Sequence, residues 1–147
     1  MKEIYDNHEH QRYWDPMWVV IDSLNKKYTE PTMQLDGEGI LVPPFPSASP
    51  SDICTALRDL CWQGSDINYT QFIILDVETP GKDWVRLCHS SDAEKGKEEV
   101  EVEIVKVGLE VLDTTMFALS VCHPGMNEIV EHADGCEEGV YDRKKKM

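Results

Sequence analysis

The fold of this 147-residue chain is decided by residues 71–123, which read QFIILDVETP GKDWVRLCHS SDAEKGKEEV EVEIVKVGLE VLDTTMFALS VCH. Residues 72–75 are apolar without alternation, which indicates a central strand covered on both faces. A turn centred on Pro80-Gly81 follows, of the kind that favours a type II geometry. Residues 84–88 then return as the second strand of a hairpin.

The second half of this stretch predicts another hairpin. Residues 100–104 alternate strictly, and residues 105–111 continue the alternation one register over. A β-bulge at Ile104-Val105 would reconcile the two halves. Residues 115–122 are apolar on both sides and predict a fourth strand. We therefore expect a mostly antiparallel sheet of four or five strands, and the sequence leaves open whether residues 40–42 join it as a short edge strand.

Three helices are predicted around this sheet. The first begins at the N-cap Asp15 and keeps its apolar residues on one face as far as Tyr28. The second has Ser49 as its N-cap and Pro50 at its first position, and it ends at Gly64. A short third helix follows Pro124-Gly125. The prediction is an α+β fold with two main helices and a short third helix packed on one face of the sheet.

The length and composition fit a single domain over residues 1–147, since 41% of residues are hydrophobic and 29% are charged. Residues 1–14 are polar and are expected to be flexible. Residues 29–50 hold five of the eight prolines and form a proline-rich connector. Residues 139–147 form a basic tail that is expected to be disordered.

Net charge is the outlier in this composition. Asp and Glu total 28 against 14 Lys and Arg, which gives −14, and the isoelectric point is near 4.6. Residues 92–138 alone carry 13 acidic and 3 basic side chains. This balance argues against direct binding of nucleic acid or anionic membranes, because phosphate binding needs clustered Lys and Arg. It favours a protein partner with a basic surface.

Small acidic inhibitors of nucleases, toxins or defence enzymes share this overall character. The sequence therefore predicts a non-enzymatic protein-binding module, of an inhibitor or immunity and anti-defence type, that presents an ordered array of carboxylates. The carboxylates predicted to bind the partner are Glu98, Glu99, Glu101, Glu103, Glu110, Glu128 and Glu131.

A second hypothesis is a zinc- or thiol-dependent protein, because cysteine and histidine are zinc ligands and can also pair as an activated thiolate and its base. Each predicted hairpin ends in an adjacent Cys-His pair, and a further pair lies four residues apart across the end of the third helix. Against a shared site, neighbours on a strand point to opposite faces. The candidate metal ligands are Cys88, His89, Cys122, His123, His132 and Cys136.

A third hypothesis is a small-ligand site built from Trp14, Trp18, Phe45 and Trp62. The chain contains no P-loop, nucleophile elbow, zinc-protease or EF-hand motif, so the sequence offers no positive evidence for an enzyme. Five cysteines without an apolar N-terminal segment favour free thiols in a cytoplasm. No apolar run approaches the ~20 residues of a membrane span.

Overall fold

The computed structural model describes residues 19–32, 44–75, 79–90, 100–121, 124–136 and 138–142. The architecture is α+β, as predicted. The predicted N-terminal segment 1–14 and edge strand 40–42 lie outside the described residues. In the described part of the chain, no helix combines the length and the apolar character needed to cross a membrane. The elements in chain order are helix α1 (Pro50–Trp62), strands β1 (Gln71–Ile74), β2 (Trp84–His89) and β3 (Glu103–Gly108), a 3-10 helix (Leu109–Val111), helices α2 (Leu112–Ser120) and α3 (Met126–Asp134), and strand β4 (Val140–Tyr141).

The sheet has four strands in the order β1-β2-β3-β4. The first two neighbouring pairs are antiparallel, whereas β3 and β4 are parallel. The sheet is therefore mixed, which corrects the expectation of a mostly antiparallel sheet, and a fifth strand is not found among the described residues. The β1–β2 hairpin is confirmed. Its turn has the expected type II features, because Gly81 has φ 77° and Lys82 N–H donates to Thr79 O at 3.1 Å.

The predicted β-bulge at Ile104-Val105 is wrong. Every residue of β3 pairs with one residue of β2, from Trp84 opposite Gly108 to His89 opposite Glu103. The apparent slip in the sequence pattern has a simpler cause, which is that both faces of the sheet are covered. Val100 and Val102 pack toward α1, whereas Val105 and Val107 pack toward α2 and α3.

Helices lie on both faces of the sheet, which corrects the prediction that they share one face. Adjacent residues of β2 show the division, because Leu87 and Cys88 are both fully buried but belong to different clusters. The cluster on the α1 side consists of Tyr28, Ile53, Cys54, Leu57, Leu60, Phe72, Cys88 and Val100. The cluster on the α2–α3 side consists of Val85, Leu87, Val105, Val107, Val111, Leu112, Leu119, Met126, Ile129, Ala133 and Tyr141.

Helix α1 is confirmed with its predicted ends. Ser49 is the N-cap, and its hydroxyl accepts from the backbone N–H of Asp52, whose carboxylate in turn accepts from the N–H of Ser49. This reciprocal capping box satisfies donors that the first helical turn leaves unpaired. Pro50 occupies the first turn, and Gly64 follows the helix with φ 95°, a left-handed conformation that glycine adopts at low cost.

The predicted fourth strand is wrong, because residues 112–120 form helix α2. The apolar residues Leu112, Met116 and Leu119 recur at helical spacing and turn toward the core. The hydroxyls of Thr114 and Thr115 donate to Val111 O at 2.9 and 2.6 Å, which ties the first turn together. Thr114, Thr115 and Phe117 in the same segment favour strands, so the sequence alone does not decide between helix and strand.

The predicted first helix is also wrong over its described part, since residues 19–32 form an irregular segment. Its centre is Tyr28, which is 5% exposed. The phenol accepts from the N–H groups of Asp22 and Ser23, both at 3.0 Å. The Tyr28 backbone N–H donates to Ser65 Oγ at 3.1 Å, so the segment is held by the turn that follows α1.

Strand β4 lies within the stretch that the sequence assigns to a disordered tail. Val140 pairs with Lys106 and Tyr141 pairs with Val107, both in parallel. Tyr141 is buried in the α2–α3 cluster, which gives this short strand an apolar anchor. The basic residues 143–147 lie outside the described residues.

Candidate functional site

One face of the sheet is covered by a layer that is acidic throughout. The described residues between 109 and 142 supply this cover, and the sequence of this stretch contains eight Asp and Glu residues but neither Lys nor Arg. We call their described part the acidic layer; it comprises the 3-10 helix, α2, α3 and β4. Because opposite charges are missing from this part of the sequence, the potential of its carboxylates is not offset within the layer.

Helix α3 orders the carboxylates of this layer. Met126, Ile129 and Ala133 are buried, and this inward face packs against β3 and β4. The opposite side exposes an acidic residue every three positions. Glu128 also lies in the first turn, where the helix dipole favours a negative charge. The exposed carboxylates of the helix and the loop that follows it are Glu128, Glu131, Asp134 and Glu138.

The predicted carboxylate array is divided by the fold. Glu103 is the first residue of β3, whereas Glu110 lies just beyond the other end of this strand, whose six residues span roughly 17 Å. Glu101 and Glu110 are exposed, and Glu103 is half-buried. Glu128 and Glu131 are brought together on α3, whereas Glu98 and Glu99 lie outside the described residues. The prediction did not include Asp134 and Glu138. The three-residue spacing of Glu128, Glu131 and Asp134 does indicate that these three residues are neighbours on the surface of a helix.

The first Cys-His pair is separated by the strand that carries it. Cys88 is fully buried on the α1 side, where burial raises the pKa of its thiol to about 12. A thiol held neutral in this way is a poor metal ligand and a poor nucleophile. The ring of His89 points to the other face, where its Nδ1 lies 3.9 Å from Oε2 of Glu103 on the neighbouring strand. Opposite orientation is what strand geometry requires of neighbours.

The second candidate pair is brought together at the end of α3. Cys136 Sγ lies 3.9 Å from His132 Nδ1 and donates to the backbone oxygen of His132 at 3.3 Å. The His132 ring meets the ring of Tyr141 edge-on, with centroids 5.1 Å apart. These two side chains are on the α2–α3 side, away from Cys88. Cys122 and His123 lie outside the described residues.

A complete metal site is not assembled by the described members of this candidate set. Within the ranges that the structure describes, no three His, Cys, Asp or Glu side chains come together as metal ligands would. If the protein binds zinc, His132 and Cys136 are the pair whose positions fit a shared ion. They would supply one nitrogen and one sulfur of the four ligands that a structural zinc site takes.

The predicted aromatic ligand site is also divided. Phe45 packs against the cluster on the α1 side, and Trp62 is 53% exposed at the end of α1. Trp14 and Trp18 lie outside the described residues. A cleft of about 310 Å³ opens elsewhere, at the edge of β3 next to α3. It is lined by residues that include Arg86, Ile104, Lys106, Val130, Asp134 and Glu138.

The acidic layer is thus the surface whose chemistry and geometry agree best. It concentrates charge of one sign on elements that pack as a unit against the sheet, and α3 fixes the spacing of its carboxylates. Comparison of the chain with protein-family models, with curated proteins and with solved structures finds no match.

Proposed function

We propose that the protein is a small, acidic, non-enzymatic protein-binding module that engages a basic surface of its partner through carboxylates. An inhibitor, or an immunity or anti-defence protein, is the functional type that this chemistry fits. The observation that carries the proposal is the acidic layer, in which the described part of residues 109–142 combines seven acidic residues with no Lys or Arg. Such a surface steers association with a basic partner and repels other acidic proteins.

The spacing of charges on α3 supports a partner that normally binds nucleic acid. Glu128, Glu131 and Asp134 follow one another at three-residue intervals, which corresponds to a rise of about 4.5 Å per charge along the helix axis. Phosphates on one DNA strand are spaced at about 3.4 Å along the axis. A basic cleft adapted to a phosphate backbone would therefore meet a similar density of charge on this helix.

Helix α2 adds apolar side chains to the same layer. Phe117 and Val121 are each 56% exposed, which is unusual for large apolar residues in a charged surface. Protein interfaces commonly combine an apolar or aromatic anchor with a polar rim, and the anchor supplies most of the affinity. In this proposal the carboxylates select the basic partner, and Phe117 contributes to holding it.

The test is affinity capture from lysate with a charge-reversal variant. The Glu128→Lys/Glu131→Lys variant should lose a discrete basic protein that the wild-type chain retains at low salt and releases at high salt. The matched control is Asp59→Lys/Asp66→Lys, which reverses two exposed carboxylates beyond the acidic layer. This control should retain the partner.

Capture that is unchanged in the Glu128→Lys/Glu131→Lys variant and insensitive to salt would contradict the proposal. A further variant, Glu101→Lys/Glu110→Lys, tests the predicted carboxylates at the two ends of β3. Because Glu101 lies outside the acidic layer and only Glu110 belongs to it, this reversal should weaken capture less than reversal of two carboxylates on α3 does.

A further inference from the structure

Arg58, on the third turn of α1, is a buried cation with unsatisfied donors. The residue is 8% exposed, and no acceptor among the described residues is bonded to its Nε or Nη1. The ring of Trp62, one turn later, lies 5.0 Å from the guanidinium carbon. A cation–π contact of this kind offsets part of the charge, but a ring face does not replace acceptors in the guanidinium plane.

The side-chain hydroxyl of Ser90, immediately after β2, is a second unsatisfied polar group. The residue is 3% exposed, and its Oγ has no hydrogen-bond partner within the described ranges. Its position is well fixed, because its backbone N–H donates to Thr70 O at 2.8 Å. The neighbour within its reach is the thiol of Cys54, a weak sulfur acceptor, and the hydroxyl has no oxygen or nitrogen partner in the described part of the chain.

Cys54 relates these two residues in space. Its thiol donates to Tyr69 O at 3.3 Å, next to the Thr70 carbonyl that fixes Ser90. Burial raises the pKa of this thiol, whereas a side-chain hydrogen bond with Ser90 and the positive charge of Arg58 act in the opposite direction. Arg58 is four residues after Cys54, and long helical side chains lean toward the preceding turn. The guanidinium and the hydroxyl thus lie around one buried thiol.

The polar groups of Arg58 and Ser90 supply hydrogen-bond donors and a positive charge. Buried polar groups in folded proteins are almost always bonded, and buried charges are almost always paired. Here Arg58 and Ser90 offer N–H and O–H donors, and within the described residues no Asp or Glu pairs with Arg58. A group that carries negative charge and several acceptor oxygens would satisfy both residues at once.

We propose that Arg58 and Ser90 form a binding site for a small oxyanion of the phosphate or sulfate class, between α1 and the end of β2. The low exposure of both residues fits a small ion or a terminal oxyanion group better than the surface of a macromolecule. The site lies on the α1 side of the sheet, opposite the acidic layer. It is independent of the protein-binding function proposed above.

Isothermal titration calorimetry of the full chain with inorganic phosphate tests this site. Sulfate and acetate serve as comparison anions, and sodium chloride keeps the ionic strength constant. We expect saturable binding of one phosphate per chain, with sulfate similar and acetate weaker. Arg58→Met should lower the affinity by roughly tenfold or more, because it removes a charged donor, and Ser90→Ala should lower it several-fold. Lys82→Met, which removes an exposed cation elsewhere, should leave it unchanged.

Two results would overturn the site: no saturable heat with phosphate or sulfate, or equal affinity in the wild-type chain and Arg58→Met. Preference for acetate over phosphate would overturn the assignment to tetrahedral oxyanions. If Arg58→Met does not fold, Ser90→Ala and Arg58→Lys decide, because the latter keeps the charge but removes Nε. Unchanged phosphate affinity in both of these variants would then reject the proposal.

Discussion

The phenol of Tyr28 donates a hydrogen bond to the carboxylate of Asp22, six residues earlier. The same phenol oxygen accepts from the N–H groups of Asp22 and Ser23. One hydroxyl therefore closes a loop of the chain, while the ring is buried against α1. This arrangement replaces the helix that the sequence pattern predicts here, because a helix would place residues 22 and 28 on different sides.

The Tyr28–Asp22 bond predicts a pH dependence of stability. The Tyr28 hydroxyl holds the pKa of Asp22 below its ordinary value of 3.8, and Lys26 acts in the same direction. A carboxyl whose pKa is lower in the folded state than in the unfolded state stabilises the fold at every pH above the unfolded-state pKa. That stabilisation is lost as the pH falls through the folded pKa. Asp22→Asn should therefore destabilise the protein at pH 7 and cost progressively less as the pH falls below about 4.

Urea denaturation of the wild-type chain and Asp22→Asn at pH 7 and about pH 3 measures this effect. The control is the same comparison in a Tyr28→Phe background. Without the hydroxyl, the pH-dependent part of the Asp22→Asn effect should shrink. An equal loss of stability at both pH values would show that the carboxylate charge is not what stabilises the loop.

The helical form of residues 112–120 predicts unequal roles for Phe117 and Leu119. A strand would place these two residues on the same face, whereas in α2 Leu119 is 4% exposed and Phe117 is 56% exposed. Leu119→Ala should lower the free energy of unfolding by roughly 2–5 kcal/mol. Phe117→Ala should change it by about 0.5 kcal/mol. Chemical denaturation measures both, and comparable losses would contradict the helix.

The burial of Cys88 predicts selective thiol reactivity. Its pKa of about 12 leaves very little thiolate near pH 8, and the fully buried sulfur is also inaccessible to reagents. Cys61 and Cys136 are only half-buried. Under native conditions at pH 8, iodoacetamide should label Cys61 and Cys136 well before Cys88. Peptide mass spectrometry follows each site, and unfolded protein is the control in which the rates converge. Labelling of native Cys88 as fast as Cys136 would contradict its burial.

Sequence patterns succeed here where the decisive contacts are local. The ends of α1 follow from Ser49, Asp52 and Gly64, because a capping box and a left-handed glycine act within a few residues. The β1–β2 hairpin follows in the same way from its Pro80-Gly81 turn. These elements are therefore predictable without knowledge of the rest of the molecule.

Predictions fail where distant packing chooses between two local possibilities. Residues 112–120 carry apolar side chains at both strand and helix spacings, and the core beneath the α2–α3 side selects the helix. Residues 19–28 have helical spacing, but Tyr28 instead bonds to Ser65, 37 residues away. The predicted carboxylate face stays a prediction, and its members are spread along the chain, with Glu103 at the start of β3 and Glu110 in the 3-10 helix that follows the strand.

The sequence by itself determines the strong negative charge, the α+β composition, helix α1 and the first hairpin, because these depend on composition or on neighbouring residues. The tertiary structure alone decides which face each helix covers, and thereby collects the described part of residues 109–142 into one acidic layer. It also decides that Arg58 is buried without an anionic partner among the described residues, although nothing in its local sequence marks it. Burial and the convergence of charges depend on contacts between residues far apart in the chain, and local pattern does not encode them.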